Sequence, residues 1–235
     1  MKLRKKMASN RKLLIRSYII ILVCLAVTVL VGIGVTRLSL NSVECVAISE
    51  LQSLAQRTVG IPFFMVLTYM GDFFVWVAFS LAFFIYAFFK SRKNLSTSVK
   101  LIVYLSLATA STYLMKEAFA RPRPNCAHIT IYGQETFLGM PVQGGLLSDL
   151  SSFSYPSGHV SRATGSLIVL SEKRSIVKTV LIVAIVSTLS LSRIVFGVHY
   201  PTDVIGAVPL SLAIVEATGI MINSMMNRSE APANK

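Results

Sequence analysis

The chain has 235 residues, of which 54% are hydrophobic and only 14% are charged. A soluble domain carries about 25% charged residues, so this composition excludes an ordinary soluble protein. Lys and Arg number 23 against 10 Asp and Glu, which gives a net charge of +13. These basic residues lie between apolar runs and share no single face, so we expect a membrane protein and no nucleic-acid partner.

The apolar runs predict membrane spans in chain order. A helix needs about 20 mainly apolar residues to cross a bilayer. Five runs approach that length, at residues 17–36, 62–89, 100–116, 175–192 and 203–226. A sixth, at 157–170, is shorter and carries His159 and Arg162, but counting it as a span places both termini on one side. The predicted fold is therefore all-α, a bundle of six transmembrane helices.

The basic residues predict the orientation of this bundle. Cytoplasmic segments of membrane proteins are enriched in Lys and Arg. In the six-helix topology, residues 1–16, 90–100, 172–178 and 227–235 share one side and hold 16 of the 23 basic residues. We therefore expect a multi-pass plasma-membrane protein with a cytoplasmic N-terminus (1–16), a membrane domain (17–226) and a cytoplasmic tail (227–235).

Two of the predicted outer segments between the spans are long. Residues 38–61 carry apolar side chains at helical spacing, which are Val43, Val46, Ala47, Leu51 and Leu54. This segment is equally compatible with an amphipathic helix lying on the outer surface and with a plain loop. The second, 117–155, is rich in Gly, Pro and Ser. Cys45 and Cys126 fall in these outer segments, but without a paired spacing we expect unpaired thiols.

Charged residues beside the spans form a candidate anion site. Lys116 ends the third span, Arg123 follows it, and Arg193 ends the fifth. The six-helix topology brings all three to the outer face, where Arg side chains can bind two oxygens of an anion at once. Ser157 and Gly158 precede the fourth helix, whose first backbone N–H groups are suited to phosphate.

Two histidines complete a site for phosphoryl transfer. His199 precedes Asp203 by four residues, so the carboxylate can orient the imidazole and stabilise the cation that forms on attack. His199 is therefore the predicted nucleophile. His159 has no acidic residue nearby in sequence and is the predicted general acid.

These residues stand in a three-part pattern that resembles the signature of the type 2 phosphatidic acid phosphatase superfamily. The pattern is Lys116-x6-Arg123-Pro124, then Pro156-Ser157-Gly158-His159, then Ser192-Arg193-x5-His199-x3-Asp203. The resemblance implies a phosphatase that needs no metal or other cofactor and acts through a phosphohistidine. It also implies that the phosphate is held by Lys116, Arg123, Ser157, Gly158 and Arg193.

The substrate is expected to be a membrane lipid bearing phosphate. Arg121 and Arg162 are additional cations near the motifs that could contact a second phosphate, which favours a polyprenyl diphosphate. Phosphatidate and phosphatidylglycerophosphate are the alternative substrates within this class. A phosphotransferase acting on a lipid diphosphate and a non-enzymatic lipid carrier are the alternatives outside it.

Three other polar residues are expected to have structural roles. We expect His128 to be structural, Glu216 to be paired or to lie at the cytoplasmic edge of its span, and Asp72 to mark a boundary near Gly71.

Overall fold

A computed structural model describes residues 2–38, 40–58, 61–90, 92–124, 136–137, 140–141, 152–171 and 175–229. The helices are α1 (Lys2–Arg37), α2 (Asn41–Arg57), α3 (Ile61–Thr68), α4 (Phe73–Lys90), α5 (Arg92–Phe119), α6 (Gly158–Leu170), α7 (Ile176–Val195) and α8 (Pro201–Ser229). Two strands of two residues, β1 (Thr136–Phe137) and β2 (Met140–Pro141), pair in antiparallel fashion. The membrane part of the described chain is helical, as predicted.

Within the described ranges, five helices are long and apolar enough to cross a membrane. They are Arg11–Arg37 of α1, α4, Asn94–Phe119 of α5, α7, and Pro201–Met225 of α8. Helix α6 has 13 residues, which is about 20 Å of helix against a hydrocarbon core of about 30 Å. The structure thus supplies five candidate spans, and the count of six stays a prediction.

Helix α6 lies at the centre of the bundle, against α5, α7 and α8. Its first nine residues are all buried, and small side chains allow its neighbours to approach closely. A Cβ atom at Gly165 would lie 1.9 Å from the ring of Tyr104, so glycine is required for this contact. The Tyr104 hydroxyl in turn donates to the carbonyl oxygen of Ser161 at 2.7 Å. This packing fixes α6 against α5.

The predicted span at 62–89 is broken near Gly71. Helix α3 ends at Thr68, a single turn of 3₁₀ helix follows (Tyr69–Gly71), and α4 begins at Phe73. Asp72 caps α4, since its Oδ1 accepts from the backbone N–H groups of Phe74 at 2.8 Å and Val75 at 3.2 Å. The predicted boundary at Asp72 is confirmed.

Helices α1 and α8 pack along each other. The Ser17 hydroxyl donates to Oε2 of Glu216 at 2.7 Å, which gives this carboxyl in the middle of α8 the expected partner. Nearer the other end of the pair, the Thr28 hydroxyl lies 3.4 Å from the carbonyl oxygen of Gly206.

Most of the segment 38–61 forms helix α2, so its interpretation as a plain loop is wrong. Val43, Val46 and Leu54 are exposed, while the opposite face is buried. That buried face consists of Glu44, Ile48, Gln52 and Ala55. The helix therefore turns apolar side chains away from the protein, as a helix at a membrane interface does, and turns a charge toward it.

The cysteines differ from the expectation of unpaired thiols. Cys45 of α2 is disulfide-bonded, so the expectation is wrong for this residue, whereas Cys24 of α1 is free. Cys126 and His128 lie outside the described residues.

The contact between α5 and α6 makes a testable prediction. We expect Gly165→Ala to lower stability by about 1–3 kcal/mol because the new methyl group overlaps Tyr104. Gly219→Ala is the matched control, since no atom lies within 4 Å of a Cβ at that position. Thermal unfolding of the purified protein in detergent checks this, and equal melting temperatures for the two variants would contradict it.

Candidate active site

The predicted site residues meet at one end of the bundle. The carboxyl ends of α5 and α7 and the amino ends of α6 and α8 lie together there. The backbone N–H of Ser157 donates to the carbonyl oxygen of Asp203 at 3.0 Å, which joins α6 to α8. Lys116 Nζ donates to the carbonyl oxygen of Phe153 at 2.6 Å, which joins α5 to the segment before α6.

The two arginines of the motifs reach the same region from different elements. Arg123 donates from Nη1 to the carbonyl oxygen of Val198 at 3.0 Å and from Nε to that of Ser152 at 3.2 Å. Arg193, in the last turn of α7, is buried and donates to the Thr68 hydroxyl at 2.6 Å. Together with Lys116, these side chains concentrate positive charge where the motifs converge.

The start of α6 supplies uncharged donors. Ser157 occupies the N-cap position with an extended backbone (φ −70°, ψ 115°). Its hydroxyl is buried and has no hydrogen-bond partner within the part of the chain that the structure describes. The first N–H groups of a helix also lack partners inside the helix. Ser157 and Gly158 therefore belong to a set of donors suited to an anion.

His159 lies in the first turn of α6 and is held from two sides. A Cβ atom at Gly71 would lie 2.8 Å from the Cβ of His159, so the turn before α4 packs directly on this residue. The Nδ1 atom of His159 is 3.3 Å from Nη2 of Arg162, whose Nε donates to the carbonyl oxygen of Gly71 at 3.2 Å. Nδ1 of His159 therefore faces Arg162, and Nε2 is the ring nitrogen on the side away from this guanidinium.

His199 follows a tight turn at the end of α7. Gly197 adopts a φ of 63° in this turn, a conformation that favours glycine. The Nδ1 atom of His199 lies 3.4 Å from Oδ2 of Asp203, and both side chains are fully buried. The same Oδ2 accepts from the backbone N–H of Tyr200 at 2.8 Å. Asp203 thus faces one imidazole nitrogen, and Nε2 is the nitrogen turned away from it.

Arg121 forms a buried network around the other oxygen of Asp203. Its Nη1 donates to Oδ1 of Asp203 at 2.6 Å and to the Thr202 hydroxyl at 2.7 Å. Its Nη2 donates to Oε2 of Glu44, and its guanidinium stacks on the Tyr200 ring at 3.9 Å. Arg121 therefore joins α2 to the start of α8.

Tyr155 connects the site to α1. Its hydroxyl donates to the carbonyl oxygen of Thr28, and its ring packs edge-on against Phe119 with centroids 5.2 Å apart. Burial, followed by the nearby carboxylate of Asp203, raises the pKa of the Tyr155 phenol. The phenol therefore stays protonated at neutral pH and keeps its hydrogen available for the bond to Thr28.

The geometry does not favour the predicted contacts of Arg121 and Arg162 with a second phosphate. Both terminal nitrogens of Arg121 donate to protein oxygens, and Arg162 faces His159 and Gly71.

Glu44 and Thr68 are among the residues that the structure places here and that sequence reasoning missed. The only sequence signal for Glu44 is its spacing with Ile48 and Gln52, which puts an acidic residue on one face of a helix. For Thr68 we find no sequence signal.

Comparison with known proteins gives the family. The family model described as PAP2 superfamily matches residues 97–225. The decaprenylphosphoryl-5-phosphoribose phosphatase of Mycolicibacterium smegmatis (strain ATCC 700084 / mc(2)155) is 31% identical over 99 residues, which are 42% of this chain. The match spans 46% of that relative, a little under half of its length.

Two crystal structures resemble the fold. The transmembrane PAP2 type phosphatidylglycerolphosphate phosphatase from Bacillus subtilis aligns with a TM-score of 0.66 and 19% identity, over 90% of this chain and 98% of its own. Aquifex aeolicus LpxE aligns with a TM-score of 0.48 and 24% identity, over 74% of this chain and 93% of its own. The first likeness supports the fold of a membrane phosphatase.

The two roles considered for Arg162 predict different kinetics. If Arg162 orients His159, we expect Arg162→Gln to lower kcat about tenfold or more on lipid monophosphates and diphosphates alike, with little change in KM. Exposed Arg57 provides the control substitution Arg57→Gln. Steady-state kinetics on a matched pair of substrates measure this. A rise in KM confined to the diphosphate would instead support contact with a second phosphate.

Proposed function

The chain belongs to the PAP2 superfamily, and we propose that it is a membrane lipid phosphatase that forms a phosphohistidine on His199 at the extracytoplasmic face. The observation that carries this proposal is the buried pair of His199 and Asp203, at the same end of the bundle as His159 and three cations. A carboxylate beside Nδ1 keeps the proton on that nitrogen and leaves Nε2 with the lone pair that attacks.

The proposed reaction has two steps. Nε2 of His199 attacks phosphorus, a P–N bond forms, and the P–O bond to the lipid breaks while His159 gives the leaving oxygen a proton. Water then attacks the phosphohistidine, His159 accepts a proton from that water, and inorganic phosphate leaves. Arg162 faces Nδ1 of His159, so Nε2 is the nitrogen that exchanges the proton. In this proposal the imidazole of His159 is cationic before the first step, neutral after it, and cationic again once it has taken the proton from water.

Charge stabilisation in this proposal comes from side chains and backbone rather than a metal ion. The transition state of phosphoryl transfer spreads charge over three oxygens. Lys116, Arg123 and Arg193 supply positive charge, and the Ser157 hydroxyl and the first N–H groups of α6 supply further donors. We propose that no metal or other cofactor takes part.

The orientation of the bundle supports an outer-face site. Helices α5 and α7 end at the site and α8 begins there, so the amino ends of α5 and α7, with Lys100 and Lys178, lie toward the other end. Basic residues are enriched on the cytoplasmic side of a membrane protein. Helix α6 begins at the site and α7 ends there, so the two helices run in opposite directions. The disulfide at Cys45 of α2, on the site side, is typical of an oxidising compartment.

A cavity beside the site suits the hydrocarbon part of a lipid. It has a volume of about 470 Å³, lies between α4 and α5, and is lined at one end by Phe73 and Tyr113. Tyr113 is one helical turn from Lys116, and the cavity extends from there to Ile102, about 16 Å along α5. Its other lining residues are mostly apolar or small, including Val77, Leu81, Leu105 and Ala110. We propose that a lipid chain enters here from the outer leaflet.

Within this class we propose a polyprenyl-linked phosphate as the substrate. The relative named decaprenylphosphoryl-5-phosphoribose phosphatase supports a polyprenyl chain. The sequence argument for a diphosphate rested on Arg121 and Arg162, whose contacts with protein groups remove that reason. We therefore favour a monoester, with phosphatidylglycerophosphate as the second candidate because the B. subtilis enzyme shares the fold. Transfer to an acceptor other than water would use the same phosphohistidine.

Phosphate release from a panel of lipids tests the proposal. We expect the purified protein, with chelator present, to release phosphate fastest from a polyprenyl-linked monoester and more slowly from polyprenyl diphosphate and phosphatidylglycerophosphate. Loss of activity with chelator would contradict metal independence. Dependence on an added alcohol would indicate a phosphotransferase, and a preference for the diphosphate would restore the role of a second phosphate.

Narrowing the cavity between α4 and α5 tests the proposed path of the lipid chain. We expect Ala110→Phe to raise KM about tenfold for a long-chain substrate, because the ring fills space that the chain occupies. The KM of a short-chain, water-soluble phosphate should stay unchanged. Ala82→Phe is the matched control on exposed α4 surface outside the lining. Equal effects on both substrates, or none, would contradict this path.

A further inference from the structure

We propose that Glu44 of α2 is a positioning residue of the active site, which acts through Arg121 on Asp203 and so on His199. This inference rests on the proposed function, because it assigns Glu44 a role in making His199 reactive. Glu44 belongs to none of the three motifs, and it lies more than 70 residues before the first of them in the chain.

Two links join Glu44 to the segment that carries Asp203. Through Oε2 it accepts from Nη2 of Arg121, whose Nη1 donates to Oδ1 of Asp203 at 2.6 Å. Through Oε1 it accepts from the backbone N–H of Thr202 at 2.9 Å and from the Thr202 hydroxyl at 2.7 Å. Thr202 directly precedes Asp203, so one carboxylate restrains both the backbone beside Asp203 and its charged partner.

The charges in this network explain why an acidic residue is useful at position 44. Arg121 is 2% exposed and Asp203 is fully buried, so their charges interact strongly. A guanidinium paired with Asp203 alone would largely cancel the negative charge that must stabilise a cationic His199. With Glu44 sharing the guanidinium, two carboxylates face one cation, and Asp203 keeps negative charge directed at the imidazole.

Docking of α2 does not depend on the charge of Glu44. Gln52 donates to the carbonyl oxygen of Val195 at 2.8 Å, and Ile48 and Ala55 are buried against the bundle. The substitution Glu44→Gln keeps the shape of the side chain and an oxygen that can accept from Thr202. We therefore expect this variant to fold, while it loses the charge that the proposal requires.

The test compares Glu44→Gln with Glu50→Gln, an exposed position on the same helix. We expect Glu44→Gln to lower kcat about 10- to 100-fold with KM changed less than about twofold, since positioning affects the transition state more than binding. Glu50→Gln should match the unsubstituted enzyme. Activity is measured as phosphate released per amount of monodisperse protein. An unchanged kcat, or a change confined to KM, would overturn the proposal.

A double variant separates positioning from a general loss of structure. If Glu44 acts through Asp203, Glu44→Gln should cost little more activity in an Asp203→Asn background. A structural defect would lower activity by the same factor in both backgrounds and would overturn the proposal. If Glu44→Gln yields no folded protein, Glu44→Asp replaces it, because its shorter side chain moves the carboxylate away from Arg121 and Thr202. This variant should lower kcat more than it changes KM, and it should have no further effect in the Asp203→Asn background.

The variant His199→Ala distinguishes a failure of the phosphohistidine mechanism from a failure of the role proposed for Glu44. Activity in this variant equal to that of the unsubstituted enzyme would defeat the phosphohistidine mechanism. Loss of activity in His199→Ala combined with full activity in Glu44→Gln would defeat only the role of Glu44.

Discussion

The structure depends on one electrostatic constraint: charges buried at the end of an apolar bundle must have partners. Asp203 is surrounded by three donors or cations, which are Arg121, the N–H of Tyr200 and the imidazole of His199. Removing one partner from such a set leaves an uncompensated charge, which costs about 3–5 kcal/mol when buried. These contacts join the segment after α5 and the turn after α7 to the start of α8. The network that stabilises this end of the fold thus also holds Asp203 beside His199, the nucleophile of the proposed mechanism.

Much of the fold and site could be predicted from sequence because the signals are local. Long apolar runs specify α1, α4, α5, α7 and α8, and the motif spacing identified the residues that meet at their ends. The short helix α6 gave a weak signal, since its burial comes from neighbouring helices rather than from hydrophobicity. The break at Gly71 was visible through Asp72, but its packing on His159 was not.

Partnerships between distant segments could not be predicted. Arg121 looked available for a ligand because its partner Glu44 lies 77 residues earlier in the chain. Arg162 looked available because the carbonyl oxygen it contacts belongs to Gly71, 91 residues away. A single sequence records neither contact. The structure therefore changes the interpretation of these two cations from groups that bind substrate to groups that hold Asp203 and His159, and it weakens the case for a diphosphate.

The most direct test of the central claim is to trap the phosphoenzyme. The protein is mixed briefly with a lipid substrate carrying labelled phosphate, quenched in alkali, where phosphohistidine persists, and digested for mass spectrometry. The account predicts label on the peptide containing His199, label that is lost on mild acid treatment, and none in His199→Ala. Label on another residue, or turnover by His199→Ala at the rate of the unsubstituted enzyme, would contradict it.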